Sequence, residues 1–283
     1  MKFIKNAYLT VRKIAKRASA DSAYSYAGHS ALFIIISFFP LLMLILASVK
    51  YMPFSEEQVL GIVSSIPLGN ANNTLSVAIK EVYARSGSIA LSLSAITLLW
   101  SASSIIYSVT RGLNAIYKHT ETRGYFLLRG LSLIYTVVFI LSLLVLLIFT
   151  VFGGSILDII YSHIPQLSGF HLALNFIRTI ASFLIILLFI NLMYTFIPNR
   201  RTNMLKELPG AVVSALGWYV FSFGYSLYIE NFSNVSYVYG SLTAVVLLMI
   251  WLYTLMYIFF IGAEINQMIG EGTLKLFKRK DKK

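Results

Sequence analysis

The stretch Gly130–Leu157, GLSLIYTVVFILSLLVLLIFTVFGGSIL, carries no charged residue. As a helix rising 1.5 Å per residue it exceeds the ~30 Å hydrocarbon core of a bilayer, which about 20 apolar residues already span. Five more uncharged, mostly apolar runs accompany it: Ser22–Val49, Ser86–Thr110, Thr179–Asn199, Leu208–Ile229 and Asn231–Ala263. A soluble chain of 283 residues has no interior large enough for six such runs. None alternates with the period of two that a barrel strand needs, and an open strand edge in lipid leaves backbone groups unpaired. The fold class is therefore read as all-α: a polytopic membrane protein with six transmembrane helices, at about 24–49, 88–110, 125–152, 172–197, 208–229 and 241–261.

Composition agrees. Hydrophobic residues make up 58% of the chain and charged residues 12%, against about a quarter charged in an ordinary soluble domain. Two other uncharged runs, Gln58–Ile79 and Ile159–Ile177, contain Pro67, Gly69 and Asn70 or Pro165, Gln166 and Gly169. They read as segments outside the membrane. The absence of cysteine excludes disulfides, thiolate metal sites and cysteine nucleophiles.

The basic residues set the orientation. Of 23 lysines and arginines, 19 fall in the N-terminal segment, the second-to-third and fourth-to-fifth connections and the tail, from Lys2, Arg12 and Arg17 through Arg111, Lys118, Arg123, Arg129, Arg200, Arg201 and Lys206 to Lys275–Lys283. The other side has Lys50, Lys80, Arg85 and Arg178. The positive-inside rule then puts both termini of this multi-pass protein in the cytoplasm, as in an inner-membrane protein. The net charge of +12 becomes a feature facing anionic headgroups, worth about 1 kcal/mol per residue near the surface. No soluble domain interleaves basic and stacking aromatic residues, so nucleic acid is not an expected partner.

Residues 1–20 space Phe3, Ile4, Ala7, Val11 and Ile14 opposite the basic residues, as an interfacial helix does. Ala18-Ser19-Ala20 precedes the apolar run instead of following it, so this is not read as a cleavable signal. Residues 21–268 form the membrane domain, 51–85 an outer segment of two short helices, and 269–283 a basic cytoplasmic tail. In the outer segment, Ser55 and Gln58 have the spacing of a capping box, and Pro67–Asn73 is read as the turn between the helices. In the second span Ser94, Thr97, Ser101, Ser104 and Ser108 recur at three and four residues on one helix face. That stripe, with His29 from the first span, either walls a polar groove or permits close helix packing. Gly210, Ser214 and Gly217 give the fifth span a small-residue packing face.

Several strings then combine in order across the six spans: Ser37-Phe38-Phe39-Pro40, Leu113-Asn114-Ala115-Ile116-Tyr117, Phe196-Ile197-Pro198-Asn199-Arg200-Arg201, Leu208-Pro209-Gly210-Ala211, Tyr239-Gly240-Ser241-Leu242, Trp251-Leu252-Tyr253 and Gly262-Ala263-Glu264-Ile265-Asn266. Over residues 20–268 the chain resembles the YihY/BrkB family of bacterial inner-membrane proteins, once labelled ribonuclease BN. His29 departs from the small or apolar residue expected in the family's first helix. The resemblance implies a membrane protein whose ribonuclease label is a misassignment, and links of some members to lipid or lipopolysaccharide movement point to transport.

The residues offer no chemistry for a nuclease. His29, His119, His163 and His171 fall at different sides or depths, while Glu121, Glu207 and Glu264 stand singly beside basic neighbours. No catalytic residue, metal site or cofactor is expected. Candidate headgroup-binding residues are Asn114, Asn199, Arg200, Arg201, Glu264 and Asn266, all at cytoplasmic ends of spans, where polar groups mark function and arginines suit phosphates. The expected role is a transporter or flippase for a lipid-like, anionic amphipathic substrate, with membrane lipids as partners. The alternative is a non-transporting scaffold for envelope assembly, with a homo-oligomer or envelope protein as partner.

Overall fold

The computed structural model describes residues 2–49, 55–65, 76–77, 80, 88–150, 171–231 and 241–274. Among them the secondary structure is helical. Helix α1 covers Lys2–Ala20, α2 Ala23–Val49, α3 Glu56–Ser65, α4 Ser88–Ile116, α5 Tyr125–Thr150, α6 His171–Phe196, α7 Met204–Asn231 and α8 Ser241–Gly270. Helices α2 and α4–α8 overlie the six stretches read as spans, residues 151–152 lying outside the described residues and Ile197 just past the end of α6. Three stretches among the described residues are long and apolar enough to cross a membrane: Phe176–Phe196, Met204–Ile229 and Val245–Gly270. The Pro67–Asn73 turn, His163 and the end of the tail lie outside the described residues, as do the side chains of Ser94 and His171.

The helices outrun the apolar runs at one end. Helix α4 continues to Ile116, α7 begins at Met204 and α8 reaches Gly270. Backbone hydrogen bonding continues past the apolar boundary where polar side chains find partners. Both α4 and α8 stop in a Schellman arrangement. His119 N–H donates to Asn114 O and Lys118 N–H to Ala115 O, with Lys118 at φ 57°. Thr273 N–H donates to Met268 O and Gly272 N–H to Ile269 O, with Gly272 at φ 70°. The left-handed residue turns the chain and lets the last carbonyls be capped.

The chain divides into two compact units, Leu32–Ile105 and the remainder (Met1–Ala31 with Ile106–Lys283). In the first, Ser55 Oγ accepts from Gln58 N–H and Gln58 Oε1 from Ser55 N–H, the expected capping box opening α3. Phe33 of α2 meets Trp100 of α4 edge-on at 6.2 Å between centroids. Ser101 and Ser104 are buried, Thr97 is exposed, and all three hydroxyls donate to carbonyls of their own helix one turn back.

In the larger unit, α7 packs most extensively on α8 and next on α6, while α5 lies on α6 and α1 on α8. The α7–α8 contact is antiparallel and as close as the small-residue face leads one to expect. A Cβ on Gly262 would collide with Ser214 Oγ and lie 2.6 Å from Gly210 O; one on Gly217 would lie 2.7 Å from Ile258 Cγ2. Polar side chains stitch the pair. Ser214 Oγ donates to Ile258 O (3.1 Å), Trp218 Nε1 to Leu255 O (2.7 Å), Trp251 Nε1 to Ser222 Oγ (3.2 Å) and Tyr225 Oη to Leu247 O (2.6 Å). In hydrocarbon, where apolar contact gives helices little reason to associate, small residues and such bonds set the pairing. Outward, α5–α8 present large apolar side chains, among them Phe126 at 87% and Val220 at 71% exposure.

Candidate functional site

The exits of α4, α6 and α8 and the starts of α2, α5 and α7 converge at one end of the larger unit, and its polar residues form three knots there.

The first ties the α4 exit to the α6 exit. Asn114 Oδ1 accepts from Asn199 N–H at 2.7 Å, and Asn114 Nδ2 donates to Glu121 Oε2 at 2.7 Å. Asn199 Nδ2 donates to Thr120 O and Thr122 Oγ1. Arg123 closes a two-bond fork on Glu121 (Nε to Oε1 2.7 Å, Nη2 to Oε2 2.8 Å) and reaches Ile197 O at 3.3 Å. Burial works against ionisation of Glu121, but the Arg123 bonds outweigh it and hold the carboxyl below its ordinary range.

The second centres on buried Glu207, 2% exposed, in the first turn of α7. Tyr117 Oη donates to its Oε2 at 2.9 Å and Thr202 Oγ1 to its Oε1 at 2.7 Å. Arg200 Nη2 lies 2.7 Å from Oε1. The guanidinium sits over the Tyr117 ring, 3.4 Å from its centroid, a cation–π stack. Arg200 thus meets Glu207 as an ion pair, and neither its Nε nor its Nη2 forms a hydrogen bond among the described residues. Burial, then the Glu207 charge, push the Tyr117 phenol well above its ordinary range, so it remains a donor. Asn266 of α8 clamps the start of α7: its Oδ1 accepts from Gly210 N–H (2.6 Å) and its Nδ2 donates to Glu207 O (2.9 Å). Pro209 has no N–H, and Asn266 supplies the acceptor that the neighbouring Gly210 N–H needs.

The third joins α1 to α8. Arg17 forks onto Glu271, both bonds 2.5 Å, and Arg17 Nε lies 3.4 Å from Glu264 Oε2. The Arg17 bonds hold the Glu271 carboxyl down at about 2. Lys118 pairs with Asp21.

Of the candidates named from sequence, Asn114 and Asn199 thus meet, Arg200 and Asn266 flank Glu207, Glu264 joins α1, and Arg201 stands exposed. His29 is exposed on α2, while Ser108 of the stripe is buried and donates to Tyr26 O, with Ser30 Oγ donating to Ser108 Oγ at 3.0 Å. Sequence reasoning passed over Tyr117, Asp21 and Lys118 as site residues. Their only signal was a charged or hydroxyl group at the edge of an apolar run. Among the described residues no group of three or more His, Asp or Glu side chains is placed to hold a metal.

Beside the first knot lies a half-open cleft of about 300 Å3, lined by Ile106 of α4, Tyr135 and Val138 of α5, Phe189, Leu192, Met193 and Phe196 of α6, and Ile197. Its lining is apolar apart from the Tyr135 hydroxyl, which donates to Phe196 O at 3.1 Å. The volume is at the small end of ligand pockets, about 300–1,000 Å3.

The profile of the virulence factor BrkB family matches residues 14–283. The chain belongs to this family. Among BrkB relatives, a protein named ribonuclease-like, YfkH, of Bacillus subtilis is 29% identical over 260 residues, covering 92% of this chain and 94% of the relative. A UPF0761 membrane protein of Aliivibrio fischeri is 26% identical over 265 residues (91% and 82%), and one of Vibrio parahaemolyticus is 26% identical over 268 residues (91% and 81%). No solved structure matches. The BrkB assignment and the apolar helices make this chain a membrane protein.

Proposed function

We propose that this BrkB-family protein spans the bacterial inner membrane six times, with the three polar knots on the cytoplasmic face, and moves a lipid-like anionic amphipath between leaflets without catalysing a reaction. The observation that carries the reading is the apolar cleft between α4, α5 and α6, whose lining residue Ile197 accepts a bond from Arg123 and leads into the loop that bears Arg200 and Arg201. An acyl chain entering between helices finds apolar walls, and its headgroup meets Arg201, exposed, with the half-buried Arg200 beside it. The exposed Tyr8, Leu9 and Val11 on α1 suit a helix resting on the inner leaflet. Purified protein in vesicles holding a fluorescent phospholipid tests it: leaflet exchange should exceed that of empty vesicles and fall several-fold in Val138→Trp, which fills the cleft from its rim. Equal exchange with and without protein contradicts transport.

One observation favours the scaffold instead. The hydroxyls of Ser101 and Ser104 are buried and bonded to their own helix, as in tight packing, and so wall no wet groove. Equal exchange rates in the same vesicles are what the scaffold predicts.

A further inference from the structure

Three acids and two bases meet where α1 turns into α2, α4 ends and α8 ends, and their pairing leaves one acid over. Glu271 takes both Nη groups of Arg17. Asp21 Oδ1 takes Lys118 Nζ. Glu264 remains, fully buried, with Arg17 Nε at 3.4 Å as its cationic contact and no hydrogen bond to either oxygen among the described residues. Asp21 Oδ2 is likewise buried without a donor among the described residues, and Asp21 is the acid that faces Glu264. A bare carboxylate buried against another carboxylate is costly, because each needs donors and each repels the other. A single proton removes both problems. It supplies the missing donor and brings the five-residue cluster to neutrality.

We propose that Glu264 is a proton-binding site, holding a proton on one carboxyl oxygen and donating it to Asp21 Oδ2. The charged groups facing it are Arg17 from α1, Asp21 from the α1–α2 turn, Lys118 from the α4 exit and Glu271 beyond α8. Loss of the proton sets two negative charges face to face in a closed space and opens the contact between α8 and the α1–α2 turn. The site is thus a proton-dependent latch between these elements, and it stands whether or not lipid is the cargo.

Infrared spectra of the full chain in a maltoside detergent, which has no carbonyl of its own, test it at neutral pH. Wild type should show the carbonyl band of a protonated carboxylic acid, and that band should vanish in both Glu264→Gln and Asp21→Asn. In the second variant the asparagine amide becomes a donor and Glu264 ionises beside Arg17. No band in wild type overturns the proposal, as does a band surviving Glu264→Gln. Survival in Asp21→Asn alone overturns the shared proton. If either variant fails to fold, wild type grown on carboxyl-labelled glutamate decides: the band must shift, and an unshifted band belongs to aspartate and overturns the assignment.

Discussion

Tyr117 and Glu207, 90 positions apart, share a buried 2.9 Å hydrogen bond that pins the α4 exit to the first turn of α7. Arg200 covers the same ring and faces the same carboxylate. Tyr117→Phe keeps the stack and removes one donor, which costs about 1–3 kcal/mol for a buried acceptor left short. Arg200→Ala removes the counter-charge and should cost more, about 3–5 kcal/mol. Thermal unfolding in detergent should rank wild type above Tyr117→Phe above Arg200→Ala. Equal midpoints would mean that the knot does not bear on folding.

The close approach of α7 and α8 rests on Gly262. Its substitution by alanine drives a methyl into Ser214 Oγ and Gly210 O, both on a rigid helix, so overpacking of about 1–3 kcal/mol or more is expected. Gly224→Ala meets nothing within 4 Å and should hold or slightly raise stability, since alanine favours helix. Unfolding midpoints of the two variants should therefore move apart. A shared midpoint would contradict the packing.

Glu121 gives a pH signature. Its folded carboxyl is held below the ordinary 4.5 by Arg123, so its ionised form stabilises the fold above that value and the benefit is lost as pH falls below it. The stability difference between wild type and Glu121→Gln, about 1 kcal/mol for a partly exposed charged bond, should be full at neutral pH and shrink on acidification below 4.5. A gap that widens on acidification would contradict the Arg123 fork.

The helices were legible because charge is what hydrocarbon excludes. Apart from Ser22 and Ile197–Asn199, the uncharged runs lie within α2 and α4–α8 wherever they fall among the described residues; Val151–Leu157 falls outside these. Helix ends were less legible, since the last turn of α4 and the residue just past α8 are held by tertiary partners, Asn114 by Asn199 and Glu271 by Arg17. Asn114, Asn199, Arg200 and Asn266 could be named because they stand at span ends. Which of them meet could not, because Asn114–Asn199, Tyr117–Glu207 and Arg17–Glu271 join residues 85, 90 and 254 positions apart. No local period records such distances. The serine stripe shows the opposite limit: its helical spacing was plain, but spacing alone does not tell a groove from a packed seam.

The chain's lack of cysteine permits the most direct test of its orientation in the membrane. Single cysteines introduced as Arg201→Cys and Ser55→Cys, both at exposed positions, are treated in intact cells with a membrane-impermeant maleimide. Ser55→Cys should label at once, and Arg201→Cys only after the membrane is permeabilised. Labelling of Arg201→Cys in intact cells would contradict the cytoplasmic placement of the arginine-bearing end.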